Sequence, residues 1–96
     1  MTKEKIIDIL NNLKVEVSEK YKADLKGIFG SYARGEQSQE SDIDIIVEFH
    51  KGATLLDLVR LSNFLEDKLQ TKVDVVSQRA IRKELEKTIY RDIIAL

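Results

Sequence analysis

Three segments of the chain repeat hydrophobic residues every three or four positions, which is the spacing of one face of an α-helix. The first segment is Lys3–Lys20, the second is Leu55–Leu69, and the third follows Ser77, a residue type that often caps a helix N-terminus. The spaced residues are Ile6, Leu10, Leu13 and Val17 in the first segment, Leu58, Leu61 or Ser62, Leu65 and Leu69 in the second, and Ile81, Leu85, Ile89 and Ile93 in the third. The pattern predicts three amphipathic helices.

Three further segments have the short, alternating pattern of β-strands. They are Ala23–Phe29, Asp42–Phe49 and Lys72–Val76. The alternation is clearest in the second, because successive side chains of a strand point to opposite faces. One face of that strand would carry Ile43, Ile45, Val47 and Phe49, and the other would carry Asp42, Asp44, Ile46 and Glu48. We expect the first face to be buried.

The connections complete the predicted order of elements, α-β-β-α-β-α. Ser31–Gly35 is predicted as a tight turn or one helical turn, and Glu36–Ser41 as a polar loop without hydrophobic anchors. Thr54, followed by Asp57 three residues later, resembles a capping box at the start of the second helix. We therefore expect a single α+β (mixed α/β) domain over residues 1–96, with a small sheet of three or more strands backed by helices.

The composition narrows the class of protein. Hydrophobic residues make up 43% of the chain and charged residues 34%, and the net charge of -1 argues against broad electrostatic binding to nucleic acid. The absence of cysteine excludes disulfides and thiolate metal sites. No hydrophobic run approaches the roughly 20 residues that span a bilayer, and the N-terminal segment has no signal-peptide core. We expect a cytoplasmic protein that contacts neither a membrane nor nucleic acid directly.

Two carboxylates share one face at the start of the strand Asp42–Phe49. Because alternate residues of a strand are about 6.6 Å apart, Asp42 and Asp44 would repel each other by roughly 2.5 kcal/mol at an effective dielectric of about 20. Asp74 lies in the middle of Lys72–Val76, and the three acids would converge if the two strands are neighbours. Converging carboxylates are costly unless a cation binds them. An oxygen-only ligand set favours Mg²⁺ or Mn²⁺ over zinc.

A candidate phosphate site lies where the first predicted strand ends, at Gly30 and Ser31. Backbone N–H groups at such a point bind anions, and a serine hydroxyl adds another donor. Arg34 has two interpretations, since it could bind phosphate oxygens or anchor the loop by pairing with an acid. A phosphate site beside carboxylate-bound Mg²⁺ is what phosphoryl or nucleotidyl transfer requires.

Each of these features alone is a weak signal. Asp-x-Asp is common, Gly-Ser is more often a simple turn, and Asp74 by itself could face solvent on an edge strand. An EF-hand would require further oxygen ligands and a glycine where Ile45 and Ile46 stand instead. The three features together are much less frequent by chance, so the combination favours a nucleotidyl-transfer site.

The combined pattern, GSYARG followed by SDIDIIV and a later VDVV, resembles the nucleotidyltransferase superfamily of the DNA polymerase β type, and most of all its minimal nucleotidyltransferase group. The resemblance implies that Asp42 and Asp44 bind the Mg²⁺ that holds the triphosphate of an NTP. It implies that Asp74 completes a second metal site and helps to deprotonate the acceptor hydroxyl. Two Mg²⁺ ions, with Mn²⁺ as an alternative, and ATP as the substrate are expected. The residues expected at the nucleotide are Gly30, Ser31, Arg34, Gly35 and Ser41.

Members of this group are commonly encoded beside a HEPN-domain protein, and the pairs behave as toxin and antitoxin. The resemblance implies an enzyme that transfers AMP from ATP to a tyrosine hydroxyl of its HEPN toxin. The short segment after VDVVS favours a protein acceptor, because larger members of the superfamily use an added helical domain to bind the base or the acceptor. Two alternatives stay open: an antitoxin that masks its partner by binding alone, with vestigial acids, and a nucleotidyltransferase of a small molecule such as an aminoglycoside.

Overall fold

A four-stranded mixed sheet forms the centre of this computed structural model, which describes residues 1–96. The strands have the spatial order β3-β2-β1-β4; β1 is antiparallel to β2 and to β4, whereas β2 and β3 are parallel. Their bounds are Ala23–Phe29 for β1, Ile43–Phe49 for β2, Val73–Ser77 for β3 and Ile94–Ala95 for β4. Consequently the last residue of β1 and the first residues of β2 and β3 lie at the same end of the sheet.

Four α-helices accompany the sheet: α1 (Lys3–Tyr21), α2 (Gly30–Arg34), α3 (Leu55–Leu69) and α4 (Lys83–Asp92). The N-terminus of α3 has the predicted capping interaction, because the Thr54 N–H donates a hydrogen bond of 2.9 Å to the Asp57 carboxylate. A short 3₁₀-helix, Gln78–Ala80, connects β3 to the segment before α4. None of the helices combines the length and the hydropathy that a membrane-spanning helix requires.

The hydrophobic core lies between α1, α3 and one face of the sheet. Aromatic rings extend the contact between the two helices, with the ring centroids of Tyr21 and Phe64 4.8 Å apart. The fully buried core residues include Ile6, Leu10 and Val17 of α1, Ile43, Ile45 and Val47 of β2, and Leu61, Leu65 and Leu69 of α3. The predicted burial of these helix and strand faces is therefore confirmed, as is the α+β fold with at least three strands.

The prediction for the residues after β3 is wrong in its boundaries. Instead of one helix capped by Ser77, the chain forms the 3₁₀-helix, enters α4 only at Lys83 and ends α4 before Ile93. None of the residues of α4 is buried. A fourth strand, β4, then pairs with β1 through Ile28↔Ile94. This strand forms because the free edge of β1 offers unpaired backbone groups, and because Ile94 packs against the core.

Ile46 is the one hydrophobic residue on the face of β2 that carries Asp44. It lies on the polar face of β2 by alternation, yet it is fully buried and lies outside the main core cluster. The face of β2 that carries Asp44 is therefore only partly buried at Asp44 and fully buried two residues later, at Ile46.

Candidate active site

Three aspartates lie at the sheet end where β1 ends and β2 and β3 begin, called here the acidic end. Asp44 and Asp74 are direct neighbours in the register of the parallel strands β2 and β3. Asp42 comes just before β2, two residues from Asp44, and its negative charge acts on the Asp44 carboxylate. No lysine or arginine lies within ion-pair distance of any of the three. The prediction that the acids converge required β2 and β3 to be neighbours, and the structure confirms that they are.

Asp44 is the aspartate most affected by its surroundings. Partial burial, followed by the negative charges of Asp74 and Asp42, raises the pKa of Asp44 to about 6, while the Arg34 guanidinium acts against this change. Burial and like charges both disfavour the ionised carboxylate. A cation bound at the acidic end would remove much of this unfavourable energy.

The donor set at the acidic end fits a hard divalent cation in its chemistry, but the ligands are not assembled. No three acidic or histidine side chains of the chain are close enough to form a ready-made metal cluster. Mg²⁺ in nucleotide sites uses one or two carboxylates together with substrate phosphates and water, so a complete cage of protein ligands is not required. Asp42 and Asp44 are the carboxylates placed to hold such an ion, with Asp74 beside them.

Gly30 lies directly against the Asp44 carboxylate. Its φ of +75° belongs to the left-handed region, and any side chain at this position would collide with the carboxylate of Asp44. Glycine is the one residue that satisfies both conditions. Phe29, the residue before it, is the register partner of Asp44. The structure thus brings the predicted Gly30-Ser31 turn and the predicted acids together, and phosphate binding by this turn stays a prediction.

Arg34 pairs with acidic side chains and so anchors the loop, which was the second of the two interactions predicted for it. Its guanidinium pairs with Glu36 at 3.2 Å and with Asp92, the last residue of α4, at 3.3 Å. The pair with Asp92 joins the turn after β1 to an element far away in the sequence. Sequence reasoning missed Asp92, because no local pattern indicates a partner 58 residues away. Contact between Arg34 and a nucleotide stays a prediction.

Gly35 and Ser41 have defined structural roles at the two ends of the loop between α2 and β2. Gly35 ends α2 with a φ of +74°, and its N–H donates to the Tyr32 carbonyl at 3.3 Å. The Ser41 hydroxyl accepts a hydrogen bond of 2.9 Å from the Ser38 N–H. These contacts shape the loop, and nucleotide binding by either residue stays a prediction.

A cleft of about 400 Å³ adjoins the acidic end. Two loops line it, namely residues Gln39–Asp42 before β2 and residues Gln70–Lys72 before β3, and none of the lining residues is hydrophobic. Sequence reasoning missed this cleft, because the two loops come together only when β2 and β3 pair. The polarity of the loop before β2 was the single local sign of it.

Comparisons with known proteins identify the family of the chain. Residues 7–96 match the nucleotidyltransferase domain family. MJ0126 of Methanocaldococcus jannaschii, provisionally named a protein adenylyltransferase, is 43% identical over 94 residues, which are 97% of this chain and 96% of that protein. MntA of Thermococcus cleftensis, named a protein adenylyltransferase, is 36% identical over 94 residues, which are 98% of this chain and 95% of MntA.

Two solved structures share the fold over nearly the whole chain. One, provisionally described as a minimal nucleotidyltransferase, superposes with a TM-score of 0.83 at 35% identity and covers 100% of this chain and 97% of its own. The other, a toxin–antitoxin complex with AMP-PNP, has a TM-score of 0.70 at 27% identity, and the match covers 99% of this chain and 72% of the chain in that complex. The motif, the arrangement of the acids and these matches agree, and the chain belongs to the nucleotidyltransferase family in its minimal form.

Proposed function

We propose that the chain is a Mg²⁺-dependent protein adenylyltransferase that transfers AMP from ATP to a tyrosine hydroxyl of a HEPN-domain toxin, and so acts as its antitoxin. The observation that carries the proposal is the unpaired row of Asp42, Asp44 and Asp74 with Gly30 packed against its central member. The similarity to MntA of T. cleftensis, named a protein adenylyltransferase, supports the reaction. The similarity to a toxin–antitoxin complex with AMP-PNP supports the nucleotide and the kind of partner.

In this proposal different residues at the acidic end bind the metal ion, bind the phosphates and accept the proton. Asp42 and Asp44 hold the metal ion, which when bound neutralises charge on the triphosphate. The turn at Gly30 and Ser31 binds the β- and γ-phosphates through backbone N–H groups and the serine hydroxyl. Asp74 accepts the proton of the acceptor hydroxyl while the oxygen of that hydroxyl forms a bond to the α-phosphorus. The bond between the α-phosphorus and the oxygen that bridges to the β-phosphorus breaks, and pyrophosphate leaves.

The proposal is tested with ATP labelled at the α-phosphate, Mg²⁺ and the partner HEPN protein. We expect label on the partner, and we expect Asp42→Ala/Asp44→Ala to lower the transfer rate by at least about a hundredfold. The matched control is Asp24→Ala/Glu48→Ala, which removes two acids from the opposite end of the sheet and should keep most of the transfer. Absence of label with the wild-type chain, or undiminished transfer by the first variant, contradicts the proposal. Neutralisation of the toxin by that variant without transfer would favour masking by binding alone.

A further inference from the structure

The polar cleft lies on a defined side of the acids. Along the sheet order, Asp74 stands on the edge strand β3, Asp44 stands on β2, and Gly30 follows β1. A triphosphate held by the turn at Gly30 would therefore lie on the β1 side of Asp44. In an in-line displacement, the attacking oxygen approaches opposite to the leaving pyrophosphate. The acceptor must then arrive from the β3 side, and the cleft is formed by the loops that enter β2 and β3.

Lys72 connects the cleft with Asp74. The carbonyl of Lys72 accepts a hydrogen bond of 2.9 Å from the Ile43 N–H, which extends the pairing of β2 and β3 to the start of both strands. Lys72 immediately precedes β3, two residues before Asp74, and continued alternation puts it on the face of Asp74. Its side chain is exposed and belongs to none of the ion pairs of the chain. A ligand that reaches Asp74 from the cleft therefore passes Lys72.

The lining of the cleft suits a polar peptide better than a nucleobase. A base stacks on aromatic or aliphatic side chains, and the cleft has neither. The Gln39 amide and the Thr71 hydroxyl both donate and accept hydrogen bonds, as the N–H and C=O groups of a peptide require. A volume of about 400 Å³ has room for a short segment of chain.

We propose that this cleft binds the polar peptide segment of the acceptor protein that carries the modified hydroxyl, and that Lys72 positions this segment. The ammonium group of Lys72 donates to a carbonyl or carboxylate oxygen of the segment, because lysine offers donors only. Lys72 is a positioning residue and takes no part in bond making or proton transfer. The inference rests on the proposed function and adds where, and by which surface, the acceptor is recognised.

The test compares Lys72→Ala with Lys51→Ala in the complete chain. Lys51 is an exposed lysine in the turn after β2, at the opposite end of the sheet, and serves as the matched control. Transfer is measured with the acceptor protein titrated at saturating ATP, and with ATP titrated at saturating acceptor. We expect Lys72→Ala to raise the KM for the acceptor about tenfold, with kcat and the KM for ATP changed by less than about twofold. Lys72→Arg should restore the acceptor KM to within about threefold of the wild-type value.

The outcomes separate this inference from the proposed function. If the wild-type chain transfers AMP and Lys72→Ala raises the KM for ATP instead, the cleft binds the nucleotide and the inference is overturned while the proposed function stands. An unchanged acceptor KM in both Lys72→Ala and Gln39→Ala/Thr71→Ala also overturns it. If the wild-type chain transfers nothing, the proposed function fails, and the inference fails with it.

Discussion

The two ends of the sheet differ in whether their acidic side chains contact basic side chains. At the acidic end, three aspartates have no basic side chain within ion-pair distance. At the opposite end, called here the paired end, Glu48 pairs with Lys26 at 3.7 Å and Asp24 pairs with His50 at 3.1 Å. Asp24 and Glu48 are register partners on β1 and β2, and each of these neighbouring acids has a polar partner, the His50 ring for Asp24 and the Lys26 ammonium for Glu48.

The difference between the ends is not caused by a shortage of bases. The chain contains 16 lysines and arginines against 17 aspartates and glutamates. Arg34, the base whose charge acts on Asp44, is instead paired with Glu36 and Asp92. An end of the sheet that keeps its acids unpaired, at a cost in stability, is an end where a cationic ligand is expected. At the paired end, where no cationic ligand is expected, the acids contact basic side chains of the chain itself.

The largest difference is expected when one acid at each end becomes an amide. Asp74→Asn should lower the rate of AMP transfer by at least about a hundredfold, because it removes the proposed proton acceptor without changing the size of the side chain. Glu48→Gln, at the paired end, should change the rate by less than about twofold. Initial rates of label transfer measure both. Equal losses in the two variants would show that the acidic end has no special role.

A second difference is expected between the glycines of the two ends. Gly30→Ala and Gly52→Ala both place a side chain at a positive φ, +75° and +92°, and each should lower the free energy of unfolding by about 1–2 kcal/mol. Only the first collides with the Asp44 carboxylate, whereas open space surrounds Gly52. Displacement of Asp44 should lower the transfer rate about a hundredfold in Gly30→Ala alone. Urea unfolding and transfer rates are compared, and an active Gly30→Ala variant would contradict the packing of the turn against Asp44.

The smallest effect concerns stability and pH without metal. Because the pKa of Asp44 is raised from 3.8 to about 6, the folded chain binds more protons than the unfolded chain between these values. The contribution of Asp44 to the free energy of unfolding therefore falls as the pH rises from about 4 to about 6, and it stays low above that range. Since Asp44 is only partly buried, Asp44→Asn should stabilise the metal-free chain at pH 7 by only on the order of 1 kcal/mol.

This third prediction is measured by urea unfolding in EDTA at pH 4 and pH 7. Near pH 4 the variant and the wild-type chain should be nearly equal in stability. Asp24→Asn at the paired end is the control, and its exposed pair with His50 should contribute less than about 0.5 kcal/mol. Added Mg²⁺ should stabilise the wild-type chain more than Asp44→Asn, because an ion that binds the folded chain alone shifts the equilibrium toward it. A variant less stable than wild type at pH 7 would contradict the assigned repulsion.

The sequence by itself determined the elements whose pattern is local. Helices α1 and α3 and strand β2 each carry a periodic set of hydrophobic residues, and burial of that set fixes both the type of element and its inner face. The same alternation placed Asp42 and Asp44 on one face of a strand. Together with the Gly-Ser turn and the later VDVV segment that carries Asp74, this arrangement indicated the family.

The tertiary structure decided whatever depends on residues far apart in the chain. It placed Asp74 beside Asp44, joined Arg34 to Asp92, and formed the cleft from two loops. It also added β4, which at two residues is too short to show any periodicity and exists because β1 had a free edge to pair with. Local periodicity tells which face of an element is buried, but hydrogen bonding and packing between distant segments choose the neighbour of each element. The acids were therefore predictable, and the surface through which an acceptor would reach them was not.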